Sequence, residues 1–304
     1  MIGQYGHTSG LSSCSGGIGI NRSLILPSID ELPGYILLPK NAPPAEKTPQ
    51  ATVTAVLPQL EKYFIDEPGQ YWMAAGIAFS SFEMIEAFAL VTVSFGVDFE
   101  LGILGSVSMS IPTDGVTPIA FVEADLLASF APSSGLLAFE GVISPQSYVF
   151  GGFVKVQGGF AFCLWFDKEH AGDFVVTVGG YYPSFDKPAH YPAVPRIKLG
   201  FAVGPVSVSG GGYFALTPAM LMAGLSMNAT FNAGPIKAWF DAAIDLLIAW
   251  APFHYQAGSY VTIGVSVDLG LFTLKVQVGA DLAVWGPEFG GKADVDLDVA
   301  SFSF

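Results

Sequence analysis

Residues 274–284 read Leu-Lys-Val-Gln-Val-Gly-Ala-Asp-Leu-Ala-Val, so that every second side chain is apolar. Residues 261–269 and 293–299 repeat this rhythm, with threonine, glycine, serine or aspartate between the apolar positions. Successive side chains of a β-strand point to opposite sides of a sheet. A period of two therefore predicts strands with one buried side and one wet side.

Residues 236–250 are apolar at most positions and are compatible with either a helix or a strand. Ile236, Phe240 and Ile244 fall in one period-two series, and Lys237 and Asp241 fall in the other. Because the charges separate cleanly at this period, a long strand is favoured.

Turn-forming glycine, proline, asparagine and aspartate recur at short intervals from residue 69 onward, which is typical of antiparallel strands. The chain is predicted to be all-β. Its strands are expected to form an antiparallel meander that builds a large layered sheet, a sandwich or a barrel-like body. Helical spacing of apolar residues adds one short N-terminal helix at residues 51–64.

The N-terminal region differs in composition from the rest of the chain. Residues 1–50 are rich in glycine, serine and proline, which predicts a flexible arm followed by an extended segment. Residues 51–304 are predicted to be the β-rich domain. The proline-rich stretch at 183–196 could divide that domain into two sub-units.

The composition excludes some partners. The chain has 304 residues, 51% of them hydrophobic and 12% charged, with a formal net charge of −14. Nucleic acids and anionic lipid surfaces attract clustered lysine and arginine, so neither is an expected partner. Apolar surface beyond what a core can hide favours an apolar small molecule as the partner. The two cysteines, Cys14 and Cys163, are expected to be free thiols.

No segment is expected to cross a membrane as a helix. Residues 199–236 carry no charge, but glycines, prolines and asparagines interrupt them, and these predict strands and turns. The first residues lack the basic and apolar parts of a signal peptide, which favours the cytoplasm.

Ionisable side chains are densest between residues 167 and 190. Asp167, His170, Asp173 and His190 are the candidate catalytic residues, because histidines beside carboxylates can transfer protons in a hydrolase or an isomerase. The competing interpretation is a pair of solvated turns. The sequence has no recognised metal-binding, nucleotide-binding or nucleophile motif, so no metal and no cofactor are expected.

Aromatic residues make up 13% of the chain and fall within predicted strands. They could fill the space between sheet layers, or they could line an apolar groove. Five of them are the candidate ligand-binding residues: Trp165, Tyr181, Tyr182, Trp239 and Trp250.

The last residues, 299–304, continue the extended pattern. An uncovered final strand could pair with another copy of the chain or with a longer protein. The sequence thus favours a non-catalytic β scaffold or binding module with an apolar groove for a lipid-like or other hydrophobic ligand. The alternatives are an enzyme with a site in the 167–190 loops and a structural component that assembles through β edges.

Several short sequence motifs are shared with one protein family. Examples are Trp285-Gly286-Pro287-Glu288-Phe289-Gly290 and the stretches at 69–72, 82–85, 158–182, 188–192, 213–218 and 249–255. In these segments the chain resembles the DUF6603 domain family of uncharacterised bacterial and fungal proteins. The resemblance implies a repetitive β architecture. It transfers no functional residue, because the family has no assigned chemistry.

Overall fold

The computed structural model describes residues 10–38, 60–81, 84–112 and 118–303. Within these ranges it has sixteen strands in an antiparallel sheet and a 3-10 turn at Leu32–Gly34. The prediction of an all-β fold is confirmed. Of the predicted 51–64 helix, residues 60–63 are helical, and Phe64 already begins a strand. Residues 51–59 lie outside the described ranges.

The chain separates into two compact units. The first contains residues 1–144 and 162–173, and the second contains residues 145–161 and 174–304. The first unit has six strands of its own, paired in chain order: β1 (Gly10–Leu24), β2 (Phe64–Ser81), β3 (Ile85–Phe95), β4 (Glu100–Ile111), β5 (Ala120–Ala131) and β6 (Leu136–Ile143).

One strand, β8 (Val154–Trp165), contributes residues to both units. The other strands belong to the second unit: β7 (Tyr148–Val149), β9 (Phe174–Val178), β10 (Ile197–Val203), β11 (Val206–Leu216), β12 (Met220–Ala233), β13 (Ile236–Trp250), β14 (Phe253–Asp268), β15 (Thr273–Gly286) and β16 (Gly290–Ser303). Strands β10 to β16 follow one another in the sheet as a meander, and residues 183–196 lie within this unit.

The core of the first unit forms where the segment before β2 packs on the sheet. Leu32, Tyr35 and Leu38 are almost completely buried and cluster with Leu104 of β4 and Leu127 of β5. Burial of large side chains from a proline-containing segment removes much apolar area from water. The extended segment of the N-terminal region therefore covers one side of the sheet.

Strand β1 lies within residues 1–50, where the sequence predicts a flexible arm and an extended segment. It pairs with β2, and its glycines make room for one indole ring. The Trp72 side chain lies against Gly17 and occupies the space that a Cβ on Gly19 would need. The glycines that suggested flexibility are therefore packing positions. Residues 1–9 lie outside the described part of the chain.

The second unit has two chemically distinct sides. In β10 to β16, the side that carries Leu225, Ile263 and Leu297 is here called the apolar face, and the side that carries Asp245 and Asp281 is the polar face. The predicted alternation is confirmed. The expectation that the apolar side is buried is wrong for this unit, because these leucines and isoleucine are more than half exposed.

Candidate functional site

The predicted catalytic residues of the first unit form a hydrogen-bonded turn after β8. Asp167 Oδ1 accepts hydrogen bonds from the backbone N–H groups of Glu169 (2.6 Å) and His170 (2.8 Å), and its Oδ2 lies 3.2 Å from His170 Nδ1. The N–H of His170, followed by that of Glu169 and the imidazole, holds the pKa of the Asp167 carboxyl below its usual range.

The main chain closes the same turn. The N–H of Asp173 donates to the carbonyl of His170 (2.9 Å), and the carbonyl of Asp173 accepts from the N–H of Trp165 (2.9 Å). An aspartate that accepts bonds from the backbone two and three residues further on stabilises a turn. These contacts support a structural role, and proton transfer by Asp167, His170 or Asp173 stays a prediction.

The fourth predicted catalytic residue, His190, belongs to the second unit. Its ring meets Tyr191 edge-on, with the ring centroids 4.9 Å apart. The Tyr191 carbonyl accepts a hydrogen bond from Lys187 Nζ (2.6 Å), which holds the proline-rich loop together. Among the described residues, no group of three or more histidine, cysteine, aspartate or glutamate side chains is placed to hold a metal ion.

The two predicted ligand-binding tyrosines brace the loop 180–196. The hydroxyl of Tyr181 donates to the carbonyl of Pro192 (3.0 Å). The hydroxyl of Tyr182 accepts from Gln256 Nε2 (2.8 Å), so this ring lies beside the polar face.

The three predicted ligand-binding tryptophans are separated along the chain. Trp165 is buried in the first unit, and Trp239 lies on the polar face, with Lys275 Nζ over its ring. Trp250 is exposed, and its Nε1 donates to the carbonyl of Pro218 (2.6 Å). An apolar groove of the second unit does not include these tryptophans or the two tyrosines in its lining.

That groove lies on the apolar face, above β11. Gly210 of β11 stands directly between Leu199 of β10 and Met227 of β12. Two residues along, Gly212 stands opposite Leu225. Because glycine has no side chain, the floor of the groove is bare backbone at Gly210 and Gly212, and the neighbouring side chains rise on both sides of it. A glycine inside a strand often marks a place where another molecule approaches closely.

The walls and the size of the groove follow from the strands on either side. Phe201 of β10 extends one wall, and Ile244 of β13 and Val261 of β14 extend the other. The groove has a volume of about 760 Å³, and its lining is almost wholly apolar. Leu225, at the rim, is 67% exposed. Pockets for small molecules usually hold about 300–1,000 Å³ and are predominantly apolar.

A smaller polar cavity of about 250 Å³ lies on the opposite side of the same strands. The Arg196 guanidinium stacks 4.0 Å from the centroid of the Tyr213 ring, and its Nη2 donates to the carbonyl of Tyr181 (2.9 Å). Burial, reinforced by a hydrogen bond to Asp245, raises the pKa of Tyr213. The phenol therefore stays protonated and acts as a donor.

Sequence reasoning missed the groove residues, although two signals pointed to them. The uncharged stretch 199–236 contains both glycines of the floor and most of the walls. The run Gly210-Gly211-Gly212 lies inside β11, and its missing side chains open the groove.

Comparisons with known proteins identify a family and nothing closer. A family model described as a family of unknown function, DUF6603, matches residues 1–304. No curated protein and no solved structure shows significant similarity to the chain. Separately, no helix in the described part of the chain has the length and apolar character needed to cross a membrane.

Proposed function

The chain belongs to the DUF6603 family of unknown function, and from that premise we propose that it is a non-catalytic binding module for a hydrophobic small molecule. The ligand would occupy the groove above Gly210 and Gly212. The observation that carries this proposal is an open apolar groove whose floor is bare backbone at Gly210 and Gly212.

Water gains little by occupying the groove. The groove exposes apolar side chains around backbone groups that already pair within the sheet, so water inside it gains few hydrogen bonds. Transfer of apolar surface out of water is favourable by roughly 25 cal/mol per Å². A ligand that fills the groove would cover both its own apolar surface and that of Leu225, Met227 and Ile244.

Groove filling tests the proposal directly. A Cβ added at Gly210 would meet its nearest neighbour, the Ser226 carbonyl oxygen, at an ordinary contact distance of 3.5 Å. Gly210→Val should therefore fold, since valine favours strands, while its methyl groups fill the floor. We expect a fluorescent long-chain fatty acid to bind this variant about tenfold more weakly than the unchanged protein.

Gly258→Val is the matched control. Gly258 lies in β14 on the polar face, and a Cβ there would meet nothing within 4 Å. This variant should bind the fatty acid like the unchanged protein. Equal affinity of all three proteins, or no binding by any of them, would refute the groove as the site.

Assembly through a strand edge is a second candidate, which one observation favours. Strand β16 is the last strand of the sheet order and pairs with β15 on one side. Within the described residues its other edge has no partner strand. If this edge recruits a second copy, the mass measured by light scattering will rise with concentration. A constant monomer mass would count against it.

A further inference from the structure

The apolar surface of the second unit extends well beyond the groove. In the pairing register, Ile244 of β13 lies on the same face of the sheet as Leu282 of β15. Ile263 of β14 likewise lies on the same face as Val278 of β15 and Leu297 of β16. Ile263 is 56% exposed, and Leu297 is 62% exposed. The groove is therefore one edge of a surface that spans seven strands.

The chemistry of this surface is unusually uniform. In strands β10 to β16, every charged side chain that the structure describes lies on the polar face. On the apolar face the register places two hydroxyl groups, those of Tyr255 and Ser259, among aliphatic and aromatic side chains and glycine. The backbone N–H and C=O groups beneath are paired within the sheet.

This uniformity distinguishes between classes of occupant. A protein partner is normally held by a polar rim and by about one hydrogen bond per 100–200 Å² of interface. The apolar face has almost no side chains to supply such bonds. Hydrocarbon chains need none, and they gain from every methylene group that leaves water.

We propose that the apolar face carries the acyl chains of lipids, with more than one lipid molecule bound to each protein at the same time. This inference rests on the proposed function and extends it from the groove to the rest of the apolar face on β13, β14, β15 and β16. The lipids are held as individual molecules that leave a bilayer with the protein. A net charge of −14 opposes approach to the surface of an anionic bilayer, so zwitterionic lipids are the expected class.

The test uses vesicles of dioleoylphosphatidylcholine. Purified protein is incubated with them, the vesicles are removed by flotation, and native mass spectrometry counts the phosphatidylcholine molecules that remain on the protein. We expect two or more for the unchanged chain. In the double variant Ile263→Thr, Leu297→Thr the number should fall by about half, because hydroxyl groups interrupt the hydrocarbon surface at two residues that do not line the groove.

The controls separate this inference from the proposed function. The double variant Thr262→Ser, Asp296→Asn changes neighbouring positions on the polar face of the same strands and should carry as much lipid as the unchanged protein. Ile263→Thr, Leu297→Thr should bind the fluorescent fatty acid like the unchanged protein, whereas Gly210→Val should bind it about tenfold more weakly.

Three results would overturn the inference. One is a single bound lipid that is lost in Gly210→Val alone, which would leave the proposed function intact. Another is protein that floats with the vesicles and removes no lipid from them. The last is a lipid-free dimer whose formation is prevented by Ile263→Thr, Leu297→Thr, because a second copy would then cover the face.

Discussion

The hydroxyl of Tyr213 donates a hydrogen bond of 2.6 Å to Oδ1 of Asp245, across an intervening strand. Tyr213 lies on β11 and Asp245 on β13, and between them, on β12, stands Gly224. A Cβ on Gly224 would overlap both the tyrosine ring and the carboxylate oxygen. The bond exists because the middle strand has no side chain at that point.

Gly224→Ala should therefore destabilise the second unit. The added methyl group must push aside the Tyr213 ring or break its bond to Asp245, and we expect a loss of about 1–3 kcal/mol in the free energy of unfolding. Urea denaturation followed by tryptophan fluorescence measures this loss. Gly258→Ala, where a Cβ meets open space, is the control. Equal midpoints for the two variants would contradict the argument.

Alanine substitutions at two leucines should affect protein stability and ligand binding separately. Leu104 is completely buried in the first unit, so Leu104→Ala should lower the free energy of unfolding by about 2–5 kcal/mol. Leu225 is mostly exposed, so Leu225→Ala should change it by about 0.5 kcal/mol or less. Leu225→Ala should nevertheless weaken fatty-acid binding, because Leu225 forms the rim of the groove. A large stability loss in Leu225→Ala would disprove its exposed position.

Glu140 should make the first unit more stable as the pH falls. Burial, together with the negative charge of Asp30, raises the pKa of Glu140. The folded state then binds this proton more tightly than the unfolded state does, so the stability contribution is lost as the pH rises through the raised value. Glu140→Gln should melt at a higher temperature than the unchanged protein at neutral pH, and the difference should vanish in acid, below the ordinary pKa of a glutamate.

The control for this pH effect is Glu86→Gln, which changes an exposed glutamate on β3. It should shift the melting temperature little at any pH. A Glu140→Gln variant that is less stable than the unchanged protein at neutral pH would show that the Glu140 carboxylate makes favourable contacts in its charged form.

The two cysteines should react at very different rates. Burial, with a smaller effect from Glu140, raises the pKa of Cys163 to about 12, and only the thiolate attacks alkylating reagents. Cys14 is exposed on β1. Iodoacetamide should add one label to the native protein, at Cys14, and two after unfolding. Native Cys14→Ser should stay unlabelled, and rapid labelling of that variant would contradict the buried position of Cys163.

The strands were predictable from the sequence because their signal is local. Alternation at 261–269, 274–284 and 293–299 predicts β14, β15 and β16, and the separation of Lys237 and Asp241 from the apolar series favours a strand at β13. These predictions are confirmed. Strand β1 was missed because its glycines resemble those of a flexible arm, and only the position of Trp72 on the neighbouring strand reveals their purpose.

The groove could not be predicted because alternation does not say which side of a sheet is covered. Leu225 and Ile263 stand in the same period-two pattern as the buried Leu104, yet they are exposed. Whether an apolar side chain is covered depends on distant segments, such as the one that carries Leu32 and Tyr35 in the first unit. The predicted catalytic residues stay a prediction, and Asp167 and His190, which are near in sequence, belong to different units.

The separation of charge from hydrocarbon in β10 to β16 makes this part of the chain a sheet-shaped amphiphile. At a boundary between oil and water, the lowest free energy would turn Asp294 and Asp296 toward the water and Val295 toward the oil. Adjacent residues of a single strand would then occupy two different solvents. Such a molecule would spread at the boundary and lower its interfacial tension, much as a detergent does.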